Sequence, residues 1–360
     1  MSAVIEVPEA WAALCARIDA EGGMVLLLGA SDSGKTTLAL WLLRTLTSAG
    51  RRVALLDGDV GQSTLGPPAT AGLAIANTPR TESALHPIAL RFVGAVSPAQ
   101  QMLPLAVALK RLAEKAHVMG VGVLLVDTTG LVLGPLGRRL KFHKIELLAP
   151  QHLVALQKDA ELEPILRLFE GRKGMAVSRL PVSPHVTARS PEARRLYRAQ
   201  RFFDYFQASS HLELSLREIV VEGSWMQGGR ILDVSELRGL SKALETPVLG
   251  GERGDDEAFL LVQGEPSADG LALAKSRLGI SALRIIERDT VRGLLLGLAD
   301  EENELLALGL LQDLDPTTGR LVCLTPFSDR GAVRIVHFGS LCLEPSGQEV
   351  GEFDIYTARP

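Results

Sequence analysis

Cysteine is scarce in this 360-residue chain, and Cys15, Cys323 and Cys342 lie far apart, without metal-ligand spacing. That excludes a disulfide framework or a cysteine-based zinc site and suits a reducing cytoplasm. Long hydrophobic runs are missing as well. No stretch approaches the roughly 18 apolar residues a membrane span needs, and the N-terminus shows no basic segment leading into an apolar one, so neither a membrane anchor nor a secretory leader is expected. Aromatic residues make up only 4% of the chain, and asparagine occurs twice, at Asn77 and Asn303. Charge of one sign is also lacking: 38 Lys+Arg against 42 Asp+Glu leaves a net charge of −4. A protein that coats nucleic acid over its whole surface is thereby excluded.

What is present is 46% hydrophobic and 22% charged residues, the balance of a globular chain long enough for two domains. The acidic surplus is unevenly spread. Between Arg138 and Arg201, 14 lysines and arginines face 6 acids, a local +8, so the remainder sums to −12. Any polyanion has to be held by that segment.

The first half alternates apolar strand-like runs with helical segments. Strands are expected at residues 24–28, 53–56, 88–93, 121–126, 152–157 and 175–178. Helices are expected at 36–48, 99–117, 160–169 and 190–208. The continuous apolar run Val121 to Val126 has the pattern of a strand buried on both faces, so the fold class is α/β with a doubly wound parallel sheet. Beyond residue 208 short strand-like segments dominate, with one helix over 268–278 and a loop at Gly250 to Glu257. The expected organisation is a P-loop domain over 1–208, with a lid at about 189–205, and a smaller β-rich domain over 209–360.

Gly29-Ala30-Ser31-Asp32-Ser33-Gly34-Lys35-Thr36 matches the phosphate-loop pattern G-x-x-x-x-G-K-[ST] in full, with a strand before it and a helix after. Backbone N–H groups and the helix N-terminus would wrap phosphate, Lys35 would neutralise β/γ oxygens, and the Thr36 hydroxyl would ligate Mg²⁺. Thr37 joins the same cofactor-binding set. A nucleoside triphosphate, ATP or GTP, is the expected ligand.

Acidic residues follow two of the strands. Asp57-Gly58-Asp59 closes the strand at 53–56, and alternation puts both carboxylates on one face, where they can hold Mg²⁺ through water, accept the proton of an attacking hydroxyl and face the acceptor. Turn capping is the plainer role for both aspartates. Asp127-Thr128-Thr129-Gly130 closes the strand at 121–126, making Asp127 a further Mg²⁺ candidate and Thr128 a possible phosphate contact or turn former. Five arginines crowd residues 189–201, and Arg194, Arg198 and Arg201 share one helix face. Such a row suits a lid that stabilises a transferring phosphoryl group, or a grip on a nucleic-acid backbone, or simply a solvated face.

GASDSGKTT, DGDVGQSTLGPPA, VDTTGLV, LKFHKIELLAPQHLVALQK and RLPVSPHVTARSPEARRLYR together resemble the polynucleotide 5′-hydroxyl kinase family. That family includes a subunit of the eukaryotic pre-mRNA cleavage factor, a nucleolar rRNA-processing kinase and short archaeal kinases. The resemblance covers residues 24–206 strongly, and GLLQDLDPTTGRLVCLTPF with VHFGSLCLE extends it faintly into the β-rich part. It implies transfer of an NTP γ-phosphate to the 5′-hydroxyl end of RNA or DNA. Asp59 would be the activating carboxylate, Lys35 and Thr36 would sit at phosphate and Mg²⁺, Gln62 near the acceptor, and Arg189, Arg194 and Arg198 in the lid. Fewer than 25 residues precede the first strand, so the N-terminal domain of the eukaryotic members is not expected. The alternative is an NTP-binding scaffold of RNA processing with little or no kinase activity; a small-metabolite kinase is a third reading. A base-stacking aromatic would come from Trp11, Trp41, Trp225, Tyr197 or Phe203.

Overall fold

The computed structural model describes residues 7–76, 85–224, 226 and 229–353. Contacts divide the chain into two compact units, Met1–Tyr197 and Arg198–Pro360, a boundary upstream of the 208/209 position expected from the sequence.

The first unit runs α1 (Glu9–Glu21), β1 (Gly23–Gly29), α2 (Lys35–Ser48), β2 (Val53–Gly58), β3 (Thr70–Ala76), β4 (Ala89–Phe92), α3 (Met102–Val118), β5 (Val123–Thr128), α4 (Gly134–Leu148), β6 (His152–Gln157), α5 (Glu163–Leu166), β7 (Ala176–Pro181) and the start of α6 (Pro191–Phe206). Its sheet has the order β4-β3-β2-β5-β1-β6-β7. The five strands from β2 to β7 pair in parallel, as the apolar runs imply. At the other edge β3 and β4 run antiparallel, which the parallel reading did not anticipate. The helix expected at 160–169 contracts to a single turn, α5.

Strand alternation divides the core between the two faces. Leu26, Leu28, Ala54, Leu56, Leu124 and Val126 face one cluster, which takes Leu105, Leu109 and Leu112 from α3 and Ile145 and Leu148 from α4. Val25, Leu27, Val53, Leu55, Val123 and Leu125 face the other, built with α1 and α2. With both faces covered, the strands read as unbroken apolar runs. In register, Asp57 lies beside Asp127 on the adjoining strand, and Leu26 of β1 beside Val126, so three strand ends open at one edge of the sheet.

The second unit holds two sheets. One carries β8 (Ser210–Ser215), β9 (Val220–Glu222), β14 (Leu294–Ala299), β15 (Leu305–Asp315), β16 (Arg320–Thr325), β17 (Ile335–Leu343) and β18 (Glu349–Glu352), mostly antiparallel. The other carries β10 (Arg230–Ile231), β11 (Val248–Arg253), β12 (Glu257–Val262) and β13 (Ala282–Glu287), with α7 (Val234–Leu244) and α8 (Ala268–Leu278) packed on it. Gly250 to Glu257 is therefore no open loop: β11 pairs antiparallel with β12 through it. Its two adjacent glycines allow close packing, since a Cβ at Gly250 would meet Pro316 at 2.9 Å.

Candidate functional site

β1 ends in the phosphate loop, whose geometry needs glycine at two points. A Cβ at Gly29 would stand 2.9 Å from the Leu156 carbonyl and strike Ser33, and Gly34 has φ +91° at the N-terminus of α2. Lys35 is 5% exposed, and its Nζ donates to the Ala30 carbonyl at 2.7 Å, folded back into the loop. Burial lowers the Lys35 pKa, while the charges of Asp127, Asp59 and Asp32 oppose that fall. Thr36 Oγ1 donates to Asp127 Oδ2 at 2.5 Å, joining the loop to the end of β5. Ser31 and Thr37 are exposed.

Asp127 is 3% exposed, and its Oδ1 accepts the Thr128 N–H at 2.8 Å. Burial pushes its carboxyl up to about 7 against the pull of Lys35. A hydroxyl and a carboxylate side by side at the mouth of a phosphate loop form a hard-oxygen donor pair suited to Mg²⁺.

The two aspartates at the end of β2 differ in role. Asp57 is 2% exposed and both oxygens are taken: Oδ2 accepts from Ser63 Oγ, Thr64 N, Thr64 Oγ1 and Leu65 N at 2.6–3.1 Å, and Oδ1 from Asp59 N at 3.0 Å. The acceptor contact expected of Asp57 is corrected, because its carboxylate is consumed in shaping the turn over 57–65. Asp59 is partly exposed; its Oδ1 accepts from Gly61 N and Gln62 N at 3.1 and 3.2 Å. Its Oδ2 takes no hydrogen bond among the described residues. Gln62 is likewise partly exposed beside it.

Thr128 requires a second correction. It is fully buried; its Oγ1 donates to the Leu27 carbonyl at 2.7 Å and accepts from Lys141 Nζ at 2.8 Å, so it braces β5 against β1 and cannot meet substrate. Lys141 also donates to the Thr129 carbonyl at 2.6 Å. Lys144, one turn further along α4, is 1% exposed, and its buried Nζ has no hydrogen-bond partner among the described residues. Burial lowers the Lys144 pKa to about 8, opposed by the charge of Asp59; Lys141 falls well below its ordinary value. Two of the 14 basic residues between Arg138 and Arg201 thus point inward. Sequence reading assigned neither lysine a role, nor Gly130, where a Cβ would overlap the Ser31 backbone. The signal for Gly130 was its place at the end of DTTG.

The arginine helix also divides. Arg194 Nη2 donates to Asp32 Oδ2 at 2.6 Å, and the Arg189 N–H donates to the same oxygen at 3.0 Å, so both reach the phosphate loop. Arg198, expected in the catalytic set, belongs to the second unit. Its Nε and Nη2 form a bidentate pair with Glu349 on β18 at 2.5 and 3.1 Å, which commits the guanidinium to bracing that unit. Trp11 is buried and Trp41 half-buried, with ring centroids 5.6 Å apart, so Trp11 offers no free face for a base. Tyr197 carries the Arg189 guanidinium at 5.9 Å from its ring centroid, Phe203 is 42% exposed, and Trp225 lies outside the described residues.

A glycine-pinched loop between β1 and α2, with Lys35 in it and the Thr36–Asp127 pair at its mouth, defines a P-loop nucleotide-binding protein. Residues 29–208 match the family described as mRNA cleavage and polyadenylation factor CLP1 P-loop. The chain is 32% identical to a polyribonucleotide 5′-hydroxyl-kinase of Pyrococcus horikoshii, over 92% of its own length and 88% of that protein. It is 34% identical to one of Thermococcus kodakarensis, over 91% and 90% of the respective lengths. Wild-type Clp1p, solved in complex with Pcf11p, has a similar fold: TM-score 0.56 at 13% identity, covering 91% of this chain and 77% of that one. This chain belongs to the CLP1 P-loop family. Among the described residues no helix is long and apolar enough to cross a membrane.

Proposed function

We infer that this protein is a polynucleotide 5′-hydroxyl kinase, transferring the γ-phosphate of ATP or GTP to a 5′-hydroxyl end. The observation that carries the reading is Asp59: a partly exposed carboxylate with one unengaged oxygen, whose charge acts on Lys35 of the phosphate loop. A simple nucleotide-binding scaffold has no need of such a group. The names of the relatives specify polyribonucleotides, which supports RNA as the acceptor.

In this reading Asp59 Oδ2 takes the proton of the 5′-hydroxyl while the oxygen attacks the γ-phosphorus in line and the nucleoside diphosphate departs. Lys35 exchanges the Ala30 carbonyl for phosphate oxygens, which relieves the cost of its burial. Gly61 and Gln62 fix the Asp59 rotamer through their N–H groups, and Asp57 fixes the turn that carries all three. Arg194 and Arg189 bring positive charge to the loop where charge spreads in the transition state. Thr36 and Asp127 are the groups that would hold Mg²⁺, which when bound neutralises phosphate charge. The three cysteines are buried free thiols, which fits a reducing cytoplasm.

The test is incubation with γ-labelled ATP or GTP and a 5′-hydroxyl oligoribonucleotide or oligodeoxyribonucleotide. The reading predicts label at the 5′ end of the RNA. Folded, nucleotide-bound protein that transfers no label to either acceptor would overturn it in favour of a scaffold.

A further inference from the structure

A carboxylate is an unexpected side chain for a phosphate-binding loop, because it repels the ligand that the loop is shaped to hold. Asp32 nevertheless sits in the middle of the loop, with φ +56° and a side chain only 7% exposed. Its Oδ2 accepts two hydrogen bonds, from Arg194 Nη2 at 2.6 Å and from the Arg189 backbone N–H at 3.0 Å. The Arg189 Nε lies 3.5 Å from Oδ1. Burial acts to raise the Asp32 pKa, but these hydrogen bonds and the two guanidinium charges hold it below the usual carboxylate value. The carboxylate is therefore an anion at neutral pH, buried and fully engaged by the segment that opens α6.

That segment buries little apolar surface. Residues 183–195 are mostly exposed, and the Ser190 cap on the Ala193 N–H is a local contact. Leu196 is 72% exposed, so apolar burial does not seat this end of the helix. Of the charged contacts described here, those to Asp32 are the ones that fix Arg194 and Arg189 on the loop.

We propose that Asp32 is a lid-positioning residue that seats Arg194 and Arg189 on the phosphate loop before nucleotide arrives, so that their charge meets the transferring phosphoryl group without a search. The inference rests on the kinase reading for its catalytic consequence, though not for the seating itself. A pre-placed guanidinium avoids reorganisation at the moment of reaction, the condition under which such groups are most effective. Once the phosphates are bound, the arginines have two anionic neighbours rather than one, and Asp32 keeps them from drifting into solvent.

Asparagine adopts a positive φ readily, so Asp32→Asn removes the charge and leaves the loop backbone undisturbed. Two readouts on the full chain test the proposal. In nucleotide-free protein, tryptic cleavage within residues 189–201 should accelerate about fivefold or more in Asp32→Asn, with unchanged melting, and return toward wild type in Asp32→Glu. In transfer assays Asp32→Asn should lower kcat about tenfold or more while ADP affinity shifts less than about threefold, and adding Arg194→Gln should lower kcat little further. Faster cleavage of Asp32→Asn beside a wild type that transfers no phosphate would sink the kinase reading and leave the seating intact. An active wild type in which Asp32→Asn changes neither cleavage nor kcat, or in which the Asp32 and Arg194 losses simply add, would overturn the proposal.

Discussion

The two units treat buried polarity in opposite ways. In the first, Lys35, Asp57, Asp127, Lys141, Lys144 and His152 are all under 6% exposed, and most gather where β1, β2 and β5 end. In the second, the buried polar residues among those described are Thr246, Thr325 and Ser340, none of them charged. Its ion pairs are at or near the surface, such as Arg320 and Arg288 on Asp313, or serve as braces, such as Arg198 on Glu349. Buried charge costs stability unless it is paired, so a fold retains it where chemistry requires it. The contrast singles out the region where these strand ends meet without reference to any motif. It also shrinks the basic surface that the local +8 implies: within that segment Lys141 and Lys144 are internal, and Arg172 and Arg179 are paired with Glu146 and Glu163.

The comparison can be broken or sharpened by substitution on either side. Lys35→Ala should have the largest effect, a fall in transfer of about 10³-fold or more, because no other cation in the loop replaces it at the phosphates. Asp127→Asn should lower kcat about 100-fold and raise the Mg²⁺ concentration for half-maximal rate, read from metal titrations at saturating nucleotide. The two lid arginines should separate cleanly. Arg194→Gln should lower kcat about tenfold, whereas Arg198→Gln should leave kcat within about twofold of wild type and cost about 1–3 kcal/mol in denaturant unfolding, through loss of its bidentate pair with Glu349. Equal kinetic losses from both would return Arg198 to the catalytic set.

The smallest effect is on stability and has a definite pH dependence. Lys144 has a folded pKa of about 8 against an ordinary 10.5, so the folded state resists a proton that the unfolded chain binds. The penalty is complete below about pH 8 and fades as pH rises toward 10.5. Lys144→Met should therefore stabilise the nucleotide-free protein by about 2–3 kcal/mol at pH 7 and by progressively less above pH 8. Melting curves across that range check it, and a gain that grows with pH would contradict the assignment.

Much of the first unit was legible because its chemistry is sequential. The phosphate loop, the acids at the ends of β2 and β5, and the apolar strand runs each occupy consecutive residues with the spacing their geometry demands. α4 was not legible, for two reasons. It opens on Gly134-Pro135-Leu136-Gly137, whose two glycines and proline are poor helix formers by propensity. Its buried face, Gly137, Leu140, Lys141, Lys144, Ile145 and Leu148, carries lysines at positions where periodicity demands hydrophobes. A departure from the amphipathic pattern thus hid the element that carries it. α7 was missed although Asp233 and Glu236 form a capping box, and β11 was taken for a loop because Gly250 and Gly251 imitate turn residues. At the site, alternation treated Asp57 and Asp59 alike, but β2 stops at Gly58 and the chain turns there. Only the hydrogen bonds show that one carboxylate builds the turn and the other is presented by it.

Asp59→Asn tests the central claim most directly. Asparagine preserves the size of the side chain and the oxygen that accepts from Gly61 and Gln62, while removing the basic oxygen. Nucleotide affinity and label transfer to a 5′-hydroxyl oligoribonucleotide should be measured on the same preparation. The account predicts affinity within about threefold of wild type and transfer reduced about 10³-fold or more. Retained transfer, or a parallel loss of both, would contradict it.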